Sequence, residues 1–244
     1  MTLTVGSLFS GIGGFDLGLE RAGMKVIWQS EIDQFACKVL KKHWPSVSNL
    51  GDITKIDWTK VERPDIVCGG YPCQPFSVAG KRGGKNDFRH LWPAMHNAIC
   101  QLRPKYAIME NVRGHLSLGF SRVLGDLANI GYDTEWQVIP AAAVGAPHKR
   151  DRVFIVAYAN NSKLGNDNNR ASNQITDATR SKVFVTHSSS GSARRTNSDW
   201  VLEPDVGRVA NGIPARVDRL KGLGNAIVPQ VAELVGALIM DHAQ

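Results

Sequence analysis

Over its first 158 residues the chain alternates short β-like runs with amphipathic helices. Strands are expected at 4–9, 24–30, 65–69, 105–109, 134–139 and 152–158. Between them, Phe35, Ala36, Val39 and Leu40 share one helical face, as do Leu91, Met95, Ile99 and Leu102, and later Phe120, Val123, Leu124 and Leu127. This alternation predicts an α/β fold built on a mainly parallel sheet. Such sheets bind ligands outside the carboxyl ends of their strands, so motifs found there carry weight.

Composition narrows the class. With 244 residues, 43% apolar and 21% charged, the chain has the make-up of an ordinary globular protein. No uninterrupted apolar run approaches the ~20 residues of a membrane span, and the N-terminus lacks the pattern of a signal peptide. A cytoplasmic protein without membrane association is expected. A net charge of +7 favours a polyanionic partner without choosing among nucleic acid, acidic substrate and anionic surface. Four cysteines without Cys-x-x-Cys spacing, and no His-Glu-x-x-His, give no support to a metal site or a disulfide framework.

From 159 to about 199 the composition turns to Asn, Ser, Thr, Gly and Arg. Such a segment can hardly form a core alone and reads as a long loop or an insertion ordered by a partner. The expected division is a main domain at 1–158 plus 211–244 with a small element at 159–210. A largely buried helix at 226–240, with Pro229 in its first turn, would pack back on the main domain.

Chemistry-bearing residues gather at the strand ends. The first strand runs into Phe9-Ser10-Gly11-Ile12-Gly13-Gly14, a turn that lets the backbone approach a ligand. Asp16 occupies the third-glycine position of a dinucleotide fingerprint. Glu31 ends the second strand, where an acid can bind ribose hydroxyls, and Asp52 of Gly51-Asp52-Ile53 lies in the next connection. Together they suit a nucleoside without a pyrophosphate, the shape of S-adenosylmethionine. Singly, each acid reads as a surface carboxylate or a helix cap. After the 65–69 strand, Cys73 lies in a loop bounded by Pro and Gly, where a thiolate could attack; Cys37, Cys68 and Cys100 read as packing residues. Glu110-Asn111-Val112 ends the fourth strand, putting a carboxyl group on a loop at the same edge. Arg150 and Arg152, alternating before the last strand, would share a face.

In their order, FSGIGG, GGYPCQPFS, ENV, PHKRDRV and GLGNAIVPQ resemble the C5-cytosine DNA methyltransferases over residues 3–158 and 216–240. The resemblance implies a seven-stranded, mostly parallel sheet of the S-adenosylmethionine-dependent, Rossmann-like kind with a small recognition element. It implies that a cytosine is flipped from duplex DNA, that Cys73 adds to C6, and that Glu110 binds N3 and the exocyclic amine and supplies a proton. Arg152 would hydrogen-bond O2, with Arg150 supporting the loop or a phosphate. Phe9 would face adenine, and Gly11, Gly13 and Gly14 would admit the methionine portion. Glu31 would take the ribose, Asp52 with Ile53 the adenine edge, and Pro72, Asn225 and Ala226 would complete the cofactor site. Gln74, Ser77, Lys81, Arg82, Arg194 and Arg195 are the expected DNA contacts.

The expected partners are double-stranded DNA and a restriction endonuclease acting on the same site without being a stable subunit; the enzyme itself is expected to be a monomer. Three departures stand out. Ser7 replaces a frequent acid before the Leu-Phe of the first motif, His148 replaces a frequent glutamine, and 212–219 replaces the usual motif before the last glycine-asparagine pair, as in a compact, phage- or prophage-like branch. The tRNA-modifying branch usually carries Cys-Phe-Thr, and no cysteine follows Cys100. A DNA-binding relic without activity would have no reason to keep Cys73, Glu110, Arg150 and Arg152 together.

Overall fold

A computed structural model describes residues 2–72, 91–160 and 216–243. In chain order the strands are β1 (Thr4–Leu8), β2 (Lys25–Ser30), β3 (Ser48–Asn49), β4 (Ile66–Gly69), β5 (Tyr106–Val112), β6 (Tyr132–Ile139) and β7 (Arg152–Ala159). They form one sheet ordered β3-β2-β1-β4-β5-β7-β6. The first five are parallel, and β7 runs antiparallel between β5 and β6. The seven-stranded, mostly parallel sheet expected from the sequence is therefore the fold observed.

Helices cover both faces. Those preceding the last connection are α1 (Gly14–Arg21), α2 (Gln34–His43), α3 (Trp92–Leu102) and α4 (Phe120–Asn129); α5 (Arg216–Asn225) and α6 (Pro229–His242) follow β7. On one face Trp92, Met95, Ile99 and Leu102 of α3 and Val123 and Leu127 of α4 pack over Val67, Met109, Val153 and Ile155. On the other, Phe15 and Leu19 of α1 and Val231, Val235 and Ile239 of α6 pack over Val5, Val26, Ile108 and Val156. Alternate residues of the central strands thus supply both cores, which is why these strands read as nearly continuous apolar runs.

Two features of the strands depart from expectation. The fourth predicted strand does not stop at 109: β7 pairs antiparallel with β5 as far as Val112, opposite Arg152, and Glu110 lies opposite Phe154. Glu110 therefore stands on a strand, not on a loop, and its backbone is fixed by the ladder. The two-residue β3 was not expected, because so short a run has no periodicity to read.

The last helix begins at Pro229 rather than 226. Val228 takes extended backbone, as the residue before a proline favours, and proline fills the first helical position, where no N–H is required. Val217–His242 matches a membrane span by length and composition. The link at 226–228 divides it, however, and α6 buries Val231, Ala232, Val235, Gly236 and Ile239.

The contact between α1 and α6 depends on a bare α-carbon. A Cβ at Gly18 would lie 2.3 Å from the Pro229 carbonyl oxygen and 2.5 Å from Ala232 Cβ. Gly18→Ala is expected to cost about 1–3 kcal/mol by overpacking and to lower the thermal unfolding midpoint. An unchanged midpoint would mean that the two helices separate at no cost.

Candidate active site

The carboxyl ends of β1, β2, β4 and β5 open on the same edge of the sheet, and the expected site residues within the described regions converge there. Leaving β1, the chain turns through Phe9 and Gly11 with φ of 51° and 55°. A left-handed phenylalanine is strained backbone, of the kind found where a site imposes it. Beside Gly11 the space is open: an added Cβ would meet only the Phe9 carbonyl oxygen, at 4.0 Å.

The other two glycines of the turn answer to packing. A Cβ at Gly13 would lie 2.4 Å from the Trp44 ring, and one at Gly14 would lie 2.3 Å from the Ile227 carbonyl oxygen. The space that a side chain would need at these two positions is taken by Trp44 and by the segment leading into α6, so packing requires glycine at both. Gly11 alone of the three borders open space.

Glu31 closes the turn from the side. Its Oε2 accepts from the Gly11 amide at 2.7 Å, and its Oε1 accepts from the Ile32 and Asp33 amides at 2.8 Å each. A carboxylate offers about four acceptor positions, so Oε2 retains one for a hydroxyl donor. Ile32, 68% exposed, gave no signal in the sequence beyond an apolar residue between two acids, yet it presents an apolar surface beside this carboxylate.

Asp52 caps a short 3-10 turn at Ile53–Lys55, its Oδ1 accepting from the Thr54 amide at 3.0 Å and from the Thr54 hydroxyl at 2.7 Å. These bonds, helped by Lys55, hold its carboxyl below the usual range. The Ile53 side chain is 6% exposed and belongs to the core. Asn225 is exposed and Ala226 half-buried where α5 ends.

Beneath the turn lies a buried polar cluster that explains the first departure in the motifs. Asp16 Oδ2 accepts from the Ser7 hydroxyl at 2.9 Å, and its Oδ1 accepts from the Gln29 amide at 2.6 Å. Burial pushes the Asp16 carboxyl up to about 6. The acid missing from the end of β1 is thus matched by one in the first turn of α1, which bonds the serine that stands in its place.

Next along the edge, the Glu110 side chain is only 12% exposed and meets Arg152 with Oε1 2.9 Å from Nε. Burial raises its carboxyl to about 7, with Arg152 and Arg150 offsetting part of that cost. Glu110, Arg150 and Arg152 line one cleft, floored by Phe154 and Ile227. Arg150 lies outside the β7 ladder with φ of 40°. Its Nη2 donates to the carbonyls of Gly224 and Ala226 at 2.9 and 2.6 Å. Arg150 thus secures the segment between α5 and α6 against the cleft, while Arg152 holds the carboxylate.

A second buried network reaches toward the thiol loop. The Asn111 amide donates to the Tyr71 carbonyl at 3.1 Å, and the Tyr71 hydroxyl lies 2.7 Å from His115 Nε2, with Asn111, Tyr71 and His115 all buried. His115 carried no recognisable signal in the sequence. Pro72 is the last described residue before the gap at 73–90. Cys73, Gln74, Ser77, Lys81 and Arg82, and likewise Arg194 and Arg195, lie outside the described residues.

Comparison with known proteins finds relatives of one kind in both sequence and fold. A family model described as C-5 cytosine-specific DNA methylase matches residues 3–201. The type II methyltransferase M.Eco47II of Escherichia coli is 41% identical over 172 residues, 67% of this chain and 41% of that protein. M.HgiCII of Herpetosiphon aurantiacus is 39% identical over 166 residues, 65% of this chain and 37% of its own. Among solved structures, DNMT2 of Spodoptera frugiperda superposes with a TM-score of 0.57 at 25% identity, covering 66% of this chain and 51% of that one. A DNA modification methyltransferase encoded within an E. coli prophage gives a TM-score of 0.57 at 29% identity, with coverage of 68% and 49%. The chain spans less than half the length of the two curated relatives.

Proposed function

The chain belongs to the C-5 cytosine-specific DNA methylase family, and on that premise we propose that it transfers a methyl group from S-adenosylmethionine to C5 of a cytosine flipped out of duplex DNA. The observation that carries this reading is Glu110. A carboxyl raised to about 7 on the strand paired with β4, and gripped by Arg152, can hold a proton at neutral pH and still be oriented.

In this mechanism the Cys73 thiolate forms a bond to C6 of the cytosine ring. Ring electron density moves toward N3, where Glu110 delivers its proton, and C5 becomes nucleophilic. Arg152, donating to O2, stabilises the charge that develops on the ring. Arg150 keeps the Gly224–Ala226 backbone against the cleft throughout. S-adenosylmethionine, when bound, supplies the electrophilic methyl group that C5 takes. Loss of the C5 proton to a base such as water, return of the N3 proton to Glu110 and expulsion of the Cys73 thiolate then restore the aromatic ring, the methyl donor departing as its neutral thioether.

The residues toward the cofactor fit such a group. The open backbone at Gly11 and the remaining acceptor of Glu31 Oε2 suit a ribose hydroxyl, and the exposed Ile32 suits one face of a purine. Asp52 and the Ile53 backbone lie toward its polar edge. Phe9, Gly13, Gly14, Pro72, Asn225 and Ala226 are the remaining residues proposed for the cofactor site.

Gln74, Ser77, Lys81, Arg82, Arg194 and Arg195 are proposed DNA contacts, the four cations meeting phosphate. The enzyme would act as a monomer in the cytoplasm, protecting DNA in a restriction-modification system or a phage. A restriction endonuclease reading the same site would be a separate protein.

The deciding experiment supplies S-adenosylmethionine carrying a labelled methyl group together with unmethylated duplex DNA, and maps 5-methylcytosine at base resolution. Label at C5 of cytosines, confined to one short motif, is the expected result. Absence of label from a protein that binds the cofactor would overturn DNA as the substrate.

A further inference from the structure

Asn49 sits on the two-residue edge strand β3, and its exposed side chain bonds back to the chain through both of its polar atoms. Its Oδ1 accepts from the backbone amides of Glu31 at 3.0 Å and Gly51 at 3.1 Å. Its Nδ2 donates to the Glu31 carbonyl at 3.1 Å and to Cys37 Sγ at 3.2 Å. One amide side chain thus uses two acceptor positions and both donors, and it holds the Glu31 residue by its N–H and its C=O at once. Cys37 reinforces the grip, its Sγ donating to the same carbonyl at 3.3 Å.

The residues held are the two acid-bearing corners of the candidate cofactor pocket. Glu31 carries the carboxylate that spans the Gly11 turn, and Gly51 immediately precedes Asp52. The Gly51 carbonyl is also tied back to β2, accepting from the Ser30 hydroxyl at 2.7 Å. Strand pairing alone does not fix these corners, because β3 ends at Asn49 and β2 ends at Ser30. Beyond the ladder, the Leu50 amide donates to the Gln29 carbonyl at 2.7 Å, and the Asn49 side chain is the group that holds the Glu31 peptide and the Gly51 amide at once.

We propose that Asn49 is the positioning residue of the cofactor site: by clamping the Glu31 peptide and the Gly51 amide, it sets the orientation of the Glu31 carboxylate and its spacing from Asp52. The inference rests on the reading of this pocket as the S-adenosylmethionine site. Asn49 acts through Glu31 and does not itself touch the ligand.

The test is calorimetric titration of the whole chain with S-adenosylmethionine in the absence of DNA, for the parent, Asn49→Ala, Glu31→Ala and the double variant. Asn49→Ala is expected to weaken binding about tenfold, ~1.4 kcal/mol, with the thermal midpoint within a few degrees of the parent. In the Glu31→Ala background the same change is expected to cost less than about twofold, because the group it positions is gone.

Parent-like affinity in Asn49→Ala, or additive losses in the double variant, overturns the proposal while leaving the pocket assignment intact. A parent chain that binds no S-adenosylmethionine overturns the assignment and the proposal together. Should Asn49→Ala fail to fold, Asn49→Asp decides: it keeps the accepting oxygen and loses both donors. A loss of several-fold supports the clamp, and unchanged affinity refutes it.

Discussion

Cys73→Ala is expected to reduce methyl transfer by about four orders of magnitude or more, with affinity for S-adenosylmethionine within about twofold of the parent. The size of the effect follows from the electronics of the substrate. C5 of cytosine is too weak a nucleophile until a thiolate has added at C6, and nothing else in the chain can replace that addition. Cys68 is fully buried in β4, where burial beside Asp16 lifts its thiol well above the ordinary range. Cys37 and Cys100 lie on α2 and α3, and burial raises both.

Cys73 is thus the one cysteine of the four that is neither on a described strand nor on a described helix, and the proposal assigns the attack to it. A duplex with fluorine at the target C5 provides an independent readout, because the adduct cannot collapse by losing a C5 proton. The parent should give a complex that survives denaturant, and Cys73→Ala none. Substantial turnover by Cys73→Ala would remove it as the nucleophile.

The parallel sheet was legible because its strands are buried on both faces and its connections are helical, so periodicity changes along the chain from strand to helix. What periodicity could not show is where hydrogen bonding continues past the apolar residues. Glu110, Asn111 and Val112 have no strand-like pattern, yet β7 pairs with all three because its own apolar run, Val153 to Ala157, fixes the register. The positions of the acids were legible from the motifs, since Glu31 and Asp52 follow strand ends. Their partners were not.

What a side chain at a glycine would meet is decided by residues far along the chain, as with Gly13 and the Trp44 ring. The same holds for Arg150, whose spacing from Arg152 suggested a shared role. Its left-handed backbone carries it off the strand, and the carbonyls of Gly224 and Ala226 take its guanidinium. Long-range polar contacts such as Ser7 with Asp16, or Tyr71 with His115, join residues that are each unremarkable in sequence.

Glu110→Gln should lower transfer by about 10²–10⁴-fold and, at the same time, stabilise the fold at high pH. The second effect follows from the direction in which the carboxyl is shifted. Its pKa stands near 7 in the folded chain against an ordinary value of 4.5, and burial is the cause. The folded state therefore binds more protons than the unfolded state between these two values, and stability falls as pH rises across that window. The favourable contribution of the protonated group is complete below 4.5 and has been lost once pH has passed 7. A shift of this size corresponds to ~3 kcal/mol at most.

Glutamine does not ionise and can still offer an oxygen to Arg152. The thermal midpoints of parent and variant should therefore lie close together at pH 5, and the variant should melt higher at pH 8. Activity runs the other way. In the parent, kcat/KM should decline above pH 7 as the proton intended for N3 is lost, whereas the residual rate of Glu110→Gln should lack that descent. If the variant gains nothing at pH 8, the carboxyl is not held up by burial. If it keeps its rate within a few-fold, the proton reaches N3 by a route that does not pass through Glu110.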